Sequence, residues 1–556
     1  MKTSVIALAA ALAAFAPCVA SDQDKPNVIL VMTDDVGYGD LACHGNPFVK
    51  TPNLDKLYAQ SVRLTDFHVS PKCSPTRASL LTGRHCRHVG VRNTNNTQQL
   101  LSTDVPTLAD LFADNGYRAG IFGKWHLGEH FPFRPQDRGF QEVVIHGNGA
   151  VSTVGDVWGN DYFDDTYWHN GHKESYKGFC TDVWFDRAID FMQQSAGKPF
   201  FVYLPTNAAH GPFIAPEEDA ALYRNKPEKP AGFFGMITNF DTNMGRMMAF
   251  LEREGLSANT ILIYTSDNGS ALGWRFFNAG MQGGKMSPYD GGHRVPFFIR
   301  WPRGGLEGGK DIGQLSAHLD VLPTLVDLCG LKHGQMTLDG MRLAPQLISG
   351  RPSVLRTLVE SFLQVAMTER WRLVNGKRLH DIKADPGQTQ DVADRHLEVV
   401  RHLQETLENN RKKNDDIQRR YIIGAKQNPV EFTPEDWIKR GISFWQSGII
   451  NGEQGFAPIL VEVARAGTYR FELRRWPEET GAPIRGALPT GGKRLDIVRA
   501  SLRVQNFNQT IPVDEAMTAA AFEVDLQAGP ADIAASFFTK DEQQTGAYFV
   551  TVRSIR

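Results

Sequence analysis

Val28-Ile29-Leu30-Val31-Met32-Thr33-Asp34-Asp35 decides how this chain is read: five apolar residues run without a break into a hydroxyl and two carboxylates. A short continuous apolar run rich in β-branched residues reads as a strand buried on both faces. The pattern recurs. Ala119-Gly120-Ile121-Phe122 runs into Gly123-Lys124-Trp125-His126, and Phe200-Phe201-Val202-Tyr203-Leu204 leads through Pro205 to His210. Ile261-Leu262-Ile263-Tyr264 runs into Thr265-Ser266-Asp267-Asn268-Gly269. Val295-Pro296-Phe297-Phe298-Ile299 reverses the order, with Gly291-Gly292-His293-Arg294 in front of it. Helical patterns over 54–62, 108–115, 181–194, 235–254 and 322–328 separate these runs. Strands alternating with helices predict an α/β fold with a large, mostly parallel central sheet flanked by helices. In such sheets the ligand site lies off the carboxyl ends of the strands, where these polar clusters converge.

Composition agrees with a folded enzyme-sized protein. Of 556 residues, 41% are hydrophobic and 22% charged, with a formal net charge of −2, which excludes wholesale disorder and argues against a nucleic-acid partner. Lys2, the apolar run from Val5 to Ala16, and Cys18-Val19-Ala20 before Ser21 read as a secretory signal peptide over 1–20. No other segment has the roughly 18 continuous apolar residues of a transmembrane helix. The expected protein is exported, periplasmic or secreted, where disulfides are permitted. Of six cysteines, five remain once Cys18 is removed. An odd number in an exported chain asks for one free or special thiol.

Asp34, Asp35 and Asp267 supply three carboxylates and Asn268 an amide oxygen, the donor type that hard divalent cations take; calcium is the first choice and magnesium the second. His85, Cys86 and His88 lack the paired spacing of a zinc site and read as packing or surface residues. Cys73-Ser74-Pro75-Thr76-Arg77-Ala78-Ser79-Leu80-Leu81-Thr82-Gly83 reads as a short helix, with Pro75 in its first turn and Gly83 at its end. Cys73 would sit at the helix N-terminus with Arg77 on the same face, as an activated thiolate or as a buried structural cysteine. Lys124, His126, His210 and Lys285 add cations and acid–base groups, and with Arg77 they suit a tetrahedral anionic ester.

These residues resemble a known family. Cys73-Ser74-Pro75-Thr76-Arg77 is similar to the C-x-P-S/T-R signature of type I sulfatases, whose fold is of the alkaline phosphatase type. Asp34 to Leu41 resembles the family's first metal motif, Gly123 to Gly128 its second signature, and Thr265 to Gly269 its second metal motif. Gly292-His293-Arg294-Val295-Pro296 and Leu338-Asp339-Gly340 are similar to further landmarks. The resemblance implies that Cys73 is oxidised to formylglycine by a maturation enzyme. Its hydrate would be held on calcium by Asp34, Asp35, Asp267 and Asn268. One hydroxyl would attack sulfur to give a covalent enzyme–sulfate, and the second, deprotonated by His126, would expel sulfate. His210 with Lys285 would protonate the leaving alcohol, while Lys124 and Arg77 hold the hydrate. Cys73 therefore doubles as metal ligand and nucleophile. Ser152 is the candidate for a small polar residue that the family carries after its second signature. The segment 157–172, dense in aromatic and acidic residues, resembles one shared by several sulfatases and would line the pocket or pack over the sheet.

The expected organisation is a catalytic α/β domain over 21–355, a small C-terminal antiparallel subdomain over 356–420, and a β-rich C-terminal module over 421–556. In the subdomain, 371–374 and 378–382 read as strands and 396–420 as a helix, whose Arg411-Lys412-Lys413 run is a solvated face. In the module, 456–473, 495–504, 521–526 and 548–552 alternate like half-buried strands. Trp437, Trp445 and Trp476 are either core residues or sugar platforms, and Arg474-Arg475-Trp476-Pro477-Glu478 is a candidate contact for an anionic glycan. Asn95-Asn96-Thr97 and Asn508-Gln509-Thr510 are glycosylation sequons in a host that uses them. The expected activity is hydrolysis of a sulfate ester, on a sulfated glycan or a small ester. The alternatives are a phosphonate or phosphate monoester hydrolase of the same fold, or a non-catalytic binding protein in which Cys73 stays a thiol. The pairing of Cys43, Cys86, Cys180 and Cys329 is open.

Overall fold

The computed structural model describes residues 25–225, 230–352 and 354–555, so the expected leader over 1–20 lies outside it. The first half builds one ten-stranded sheet. Its strands, in chain order, are β1 (Asn27–Thr33), β2 (Val62–Leu64), β3 (Arg118–Lys124), β4 (Glu142–His146), β5 (Thr166–His169), β6 (His172–Ser175), β7 (Phe200–Pro205), β8 (Thr260–Ser266), β9 (Phe297–Arg300) and β10 (Asp311–Ile312). Across the sheet they run β10-β2-β9-β8-β1-β7-β3-β4-β5-β6. The central strands β8, β1, β7, β3 and β4 are mutually parallel, whereas β9 pairs antiparallel with β8 and with β2, and β5 and β6 close the other edge antiparallel. The sheet is thus mostly parallel where the polar clusters end the strands.

Helices cover both faces. The longer ones are α1 (Pro52–Gln60), α2 (Cys73–Thr82), α3 (Leu108–Asp114), α4 (Cys180–Gln194), α5 (Ala231–Arg253) and α6 (Val321–Cys329). The alternation of β1 divides the core: Val28, Leu30 and Met32 pack with residues of α2, α3 and α6, while Ile29 and Val31 pack with residues of α1, α4 and α5. A strand sandwiched this way must be apolar at every position, which is why it reads as a continuous run.

Outside the ten-stranded sheet, a two-stranded parallel sheet joins Phe67–His68 to Ser316–Ala317, and the other sheets are antiparallel apart from one pair. Leu358–Glu360, Val365–Met367, Trp371–Val374 and Arg378–Asp381 form a four-stranded sheet, against which the helix α7 (Leu397–Arg411) packs through Leu403. That helix stops at Arg411, nine residues before the expected end, where Asp415 N–H turns to the Arg87 carbonyl. Beyond it, a six-stranded and a four-stranded sheet share one apolar core, in which one parallel pair joins Tyr421–Ile423 to Ile459–Val463. The run expected as one strand over 456–473 is two strands, Ile459–Val463 and Gly467–Arg474, which pair into different sheets. The strands Phe507–Pro512 and Gly529–Thr539 went unread: the first has a half-buried and exposed face throughout, the second an Ala-rich interior. Trp437 and Trp476 are buried in this core, and Arg475 is fully buried, donating to the carbonyls of Gly486 and Lys493. The segment 474–478 is therefore not an exposed cationic platform for a glycan, because its guanidinium is spent on main-chain oxygens inside the sandwich.

All five described cysteines are free thiols. His85, Cys86 and His88 are buried packing residues, with His88 Nδ1 2.8 Å from Asp339 Oδ2.

Candidate active site

Four carboxyl ends of parallel strands deliver the site. Asp34 and Asp35 follow β1, Lys124 ends β3 with His126 just beyond, His210 lies past β7, and Asp267 and Asn268 follow β8. Main-chain bonds lock these ends together: Asp34 N–H donates to the Ala208 carbonyl at 2.8 Å, and Asp267 N–H to the Thr33 carbonyl at 3.1 Å. Gly123 permits the close approach of β3 to β7, for a Cβ there would lie 2.2 Å from the Pro205 carbonyl oxygen. Cys73 opens α2, and Gly83 closes that helix in the left-handed region with φ 65°. Lys285 comes from the loop between β8 and β9, anchored by its N–H on the Ser270 carbonyl.

Each of the three buried carboxylates has its own cation. Arg77 Nη2 and Nε lie 2.7 and 3.2 Å from Asp267 Oδ2, Lys124 Nζ lies 2.6 Å from Asp34 Oδ2, and Lys285 Nζ lies 2.5 Å from Asp35 Oδ1. Burial alone would raise the carboxyl groups; the field of Lys124, with His210 and Arg77, holds Asp34 below its ordinary range, and Lys285 with His210 does the same for Asp35. Burial would lower Lys285, and Asp35 instead holds it well above the ordinary lysine value. Cys73 Sγ sits among them, 3.7 Å from Asp34 Oδ1, 3.5 Å from Asn268 Oδ1 and 3.7 Å from Lys285 Nζ. Burial pushes its thiol up to about 12, against the lowering fields of Lys124 and Lys285.

The donor set fits a hard divalent cation. One ligand atom each from Asp34, Asp35, Asp267 and Cys73 falls within 4.8 Å of the others. Asn268 turns its amide nitrogen to Asp35 Oδ1 at 2.7 Å and thereby presents its oxygen to Cys73. With three cations already balancing three carboxylates, a dication would leave the site positive, which suits an anionic ester. A second group, His68, Asp290 and His293, also gathers possible ligands, but the Arg372 guanidinium bonds Asp290, Asp66 and His68 and makes it a buried charge network.

The two histidines have assigned edges. His126 Nε2 lies 2.7 Å from the Thr94 carbonyl, which only accepts, so Nε2 carries the proton and Nδ1, buried with no partner, keeps a lone pair. Burial, then Lys124 and Arg77, hold its pKa well below the ordinary imidazole value. His210 Nδ1 donates to the Gly211 carbonyl at 2.7 Å, leaving Nε2 3.8 Å from Asp35 Oδ2. The side chains of His210 and Lys285 are 16% and 22% exposed, whereas those of Arg77, Lys124 and Asp34 are sealed.

Ser152 stands apart from this cluster, its hydroxyl on the Asn160 carbonyl. In the segment 157–172, Tyr162 and Tyr167 are buried over the sheet, and Tyr162 Oη donates to the His210 carbonyl at 3.2 Å, so this stretch braces the histidine loop. Sequence reasoning missed Thr94 and Lys72. The first acts through a main-chain oxygen, which no side-chain pattern reveals. The second precedes Cys73, and its ammonium donates to Asn93 Oδ1 at 2.8 Å.

The sulfatase family profile matches residues 26–331. The chain is 31% identical to the N-acetylgalactosamine-6-sulfatase of Canis lupus familiaris over 364 residues, 60% of this chain and 68% of that one. It is 32% identical to the arylsulfatase A of Bos taurus over 390 residues, 64% and 73% of the two chains. The crystal structure of Ps i-CgsB in complex with k-i-k-neocarrahexaose is similar with a TM-score of 0.63 and 27% identity, covering 70% of this chain and 94% of that one.

Proposed function

The chain belongs to the sulfatase family and hydrolyses sulfate esters, and we propose that its substrate is a sulfated carbohydrate, cleaved outside the cytoplasm. The observation that carries the reading is the trio of carboxylate–cation pairs around Cys73, with His210 and Lys285 partly exposed at its edge. The sugar substrate is supported by relatives that include an N-acetylgalactosamine-6-sulfatase and by the hexasaccharide complex of a similar structure. No described helix is long and apolar enough to cross a membrane.

Asp34, Asp35, Asp267 and Asn268 would hold calcium, which when bound supplies positive charge against the sulfate oxygens. Cys73, matured by a formylglycine-generating enzyme, would supply an aldehyde hydrate whose hydroxyl is the nucleophile toward sulfur. The side chains already present define the rest. Arg77 donates to the Lys124 carbonyl at 2.9 Å as well as to Asp267, and so fixes the strand end that carries Lys124. Lys124 and Lys285 flank the nucleophile position and offset negative charge as it develops on the sulfate oxygens. His126 takes a proton at Nδ1, since its Nε2–H is committed to Thr94. His210 and Lys285, on the open side, face the leaving alcohol and supply its proton.

The test combines mass analysis of the Cys73 peptide with rates on aryl sulfate, phenylphosphonate and sulfated mono- and disaccharides. After co-expression with the maturation enzyme, the peptide is expected to carry an aldehyde, and a sulfated sugar is expected to be turned over fastest. Cys73→Ser should abolish multiple turnover, or trap a sulfated enzyme. Full turnover by that variant overturns the nucleophile assignment, a peptide that remains a thiol favours the binding-protein alternative, and fastest turnover of phenylphosphonate favours the phosphonate one.

A further inference from the structure

His126 is seated between two loops, and both are tied to the C-terminal sandwich. The loop between α2 and α3 supplies the Thr94 carbonyl, 2.7 Å from His126 Nε2. The loop between β4 and β5 supplies Gly149, against which the ring packs so closely that a Cβ there would lie 2.6 Å from Nε2. The first loop reaches the sandwich two residues past Thr94, where buried Asn96 donates through Nδ2 to the Trp437 carbonyl at 3.1 Å. The chain that follows His126 is held there as well. The Ile422 N–H donates to the Phe131 carbonyl at 3.1 Å, and the Phe131 N–H to Gln427 Oε1 at 2.9 Å.

The loop between β4 and β5 is held at more points. Thr153 pairs antiparallel with Trp445, the Val154 N–H donates to the Phe444 carbonyl at 2.8 Å, and the Gln446 N–H to the Ser152 carbonyl at 3.1 Å. The buried Gln446 side chain donates from Nε2 to the carbonyls of Thr153 and Val157 at 3.0 and 3.2 Å, and its Oε1 accepts the Gly159 N–H at 3.0 Å. Both hydrogens and the oxygen of one amide are thus spent on this loop. From inside the loop, Asp156 accepts the N–H groups of Gly147 and Ser152 at 2.9 and 3.1 Å. Asn148 and Ser152 have φ 50° and 69°, a left-handed backbone that such residues keep where their surroundings hold it. Gly149 lies between these fixed points, so its distance from the histidine ring is set from the sandwich.

We propose that the C-terminal sandwich positions the base of the reaction: Gln446, and the Trp437 carbonyl through Asn96, hold the two loops that fix the ring of His126 and keep its proton on Nε2. The proposal rests on His126 acting as the base, and it gives the chain beyond α7 a part in the chemistry besides bracing the fold. Gln446 is a positioning residue, acting on the ring through the loop that carries Gly149. A neutral imidazole whose Nε2–H loses its acceptor can carry the proton on either nitrogen, so the fraction with a free Nδ1 falls. A displacement of about 1 Å at such a group costs on the order of 10²-fold in rate.

Steady-state kinetics of the full, matured chain on aryl sulfate test it as a double-mutant cycle. Gln446→Ala and, separately, Asn96→Asp are made in the wild type and in His126→Ala. Aspartate accepts the left-handed backbone of residue 96, φ 56°, but as a carboxylate it cannot donate to Trp437. Each variant is expected to lower wild-type kcat about tenfold with KM nearly unchanged, and to leave kcat unchanged where His126 is already alanine. Asn96→Asp removes a single hydrogen bond and keeps the test decisive where Gln446→Ala fails to fold. Leu502→Ala is the control: this buried residue lies in the strand Ile497–Val504, whose partners are other strands of the sandwich, and its loss should lower Tm with kcat unchanged. Unchanged wild-type kcat in both loop variants, an equal loss in the His126→Ala background, or an equal loss in Leu502→Ala overturns the positioning role. Undiminished kcat in His126→Ala itself counts against that histidine as the base and removes the proposal with it.

Discussion

His126 shows how much one side chain's role depends on its partners. Its backbone has φ 61°, and a Cβ on Gly149 would lie 2.6 Å from its Nε2, so the ring is held where only one edge is free. That free edge, Nδ1, carries no proton, because the other edge donates to Thr94. His126→Ala is expected to lower kcat by about 10²–10⁴ with a smaller change in KM, measured on aryl sulfate. The sign of its pH dependence follows from its depressed pKa. A base fails as pH falls through its own pKa, so no loss of kcat from His126 is expected near the ordinary ~6.5; an acid limb centred there and abolished in His126→Ala would contradict the assignment.

At the level of elements, the four-stranded sheet is joined to the large one by charge rather than by apolar packing alone. Arg372, in the strand Trp371–Val374, is fully buried and bonds Asp290 at 3.1 Å and Asp66 at 2.9 Å. Asp66 lies between β2 and the short strand Phe67–His68, and Asp290 begins the turn that leads into β9. Removing one partner of a buried pair leaves the others desolvated and uncompensated. Arg372→Ala should therefore destabilise the protein by about 3–5 kcal/mol in denaturant unfolding, whereas the exposed Arg370→Ala, on Asp381, should leave the unfolding midpoint nearly unchanged. The helix α2 was readable to its ends because Pro75 and Gly83 act locally. The end of α7 was not, because the chain leaves it for a distant carbonyl on Arg87.

At the scale of the whole molecule, the C-terminal sheets seat against the catalytic half across a cavity of about 550 Å3 lined with acids. Glu129 and Asp156 face it from the catalytic side, and Glu435 and Asp436 from the other, with His130 3.2 Å from Asp436 and Arg440 near Glu435. Burial raises Glu129 and Asp156 to about 7 and Glu435 to about 8. An acid whose folded pKa is raised binds more protons folded than unfolded, so its contribution is full below the unfolded value of ~4.3 and is lost as pH climbs toward 8. Glu435→Gln, which keeps the shape without the charge, should match wild type in Tm near pH 4 and exceed it increasingly toward pH 8. A constant difference across that range would rule out this ionisation as a source of instability.

The sequence by itself determined the parallel centre of the sheet, the helix that begins at Cys73, and the residues that the structure gathers around that cysteine. Continuous apolar runs are forced on strands buried on both faces, and short polar motifs at their ends are local signals. Only the tertiary structure decided which carboxylate each cation neutralises, which edge of His126 is free, and that Arg475 and Trp476 are core. Each of these depends on contacts between residues tens to hundreds of positions apart, and on main-chain carbonyls that every residue carries and no motif can mark.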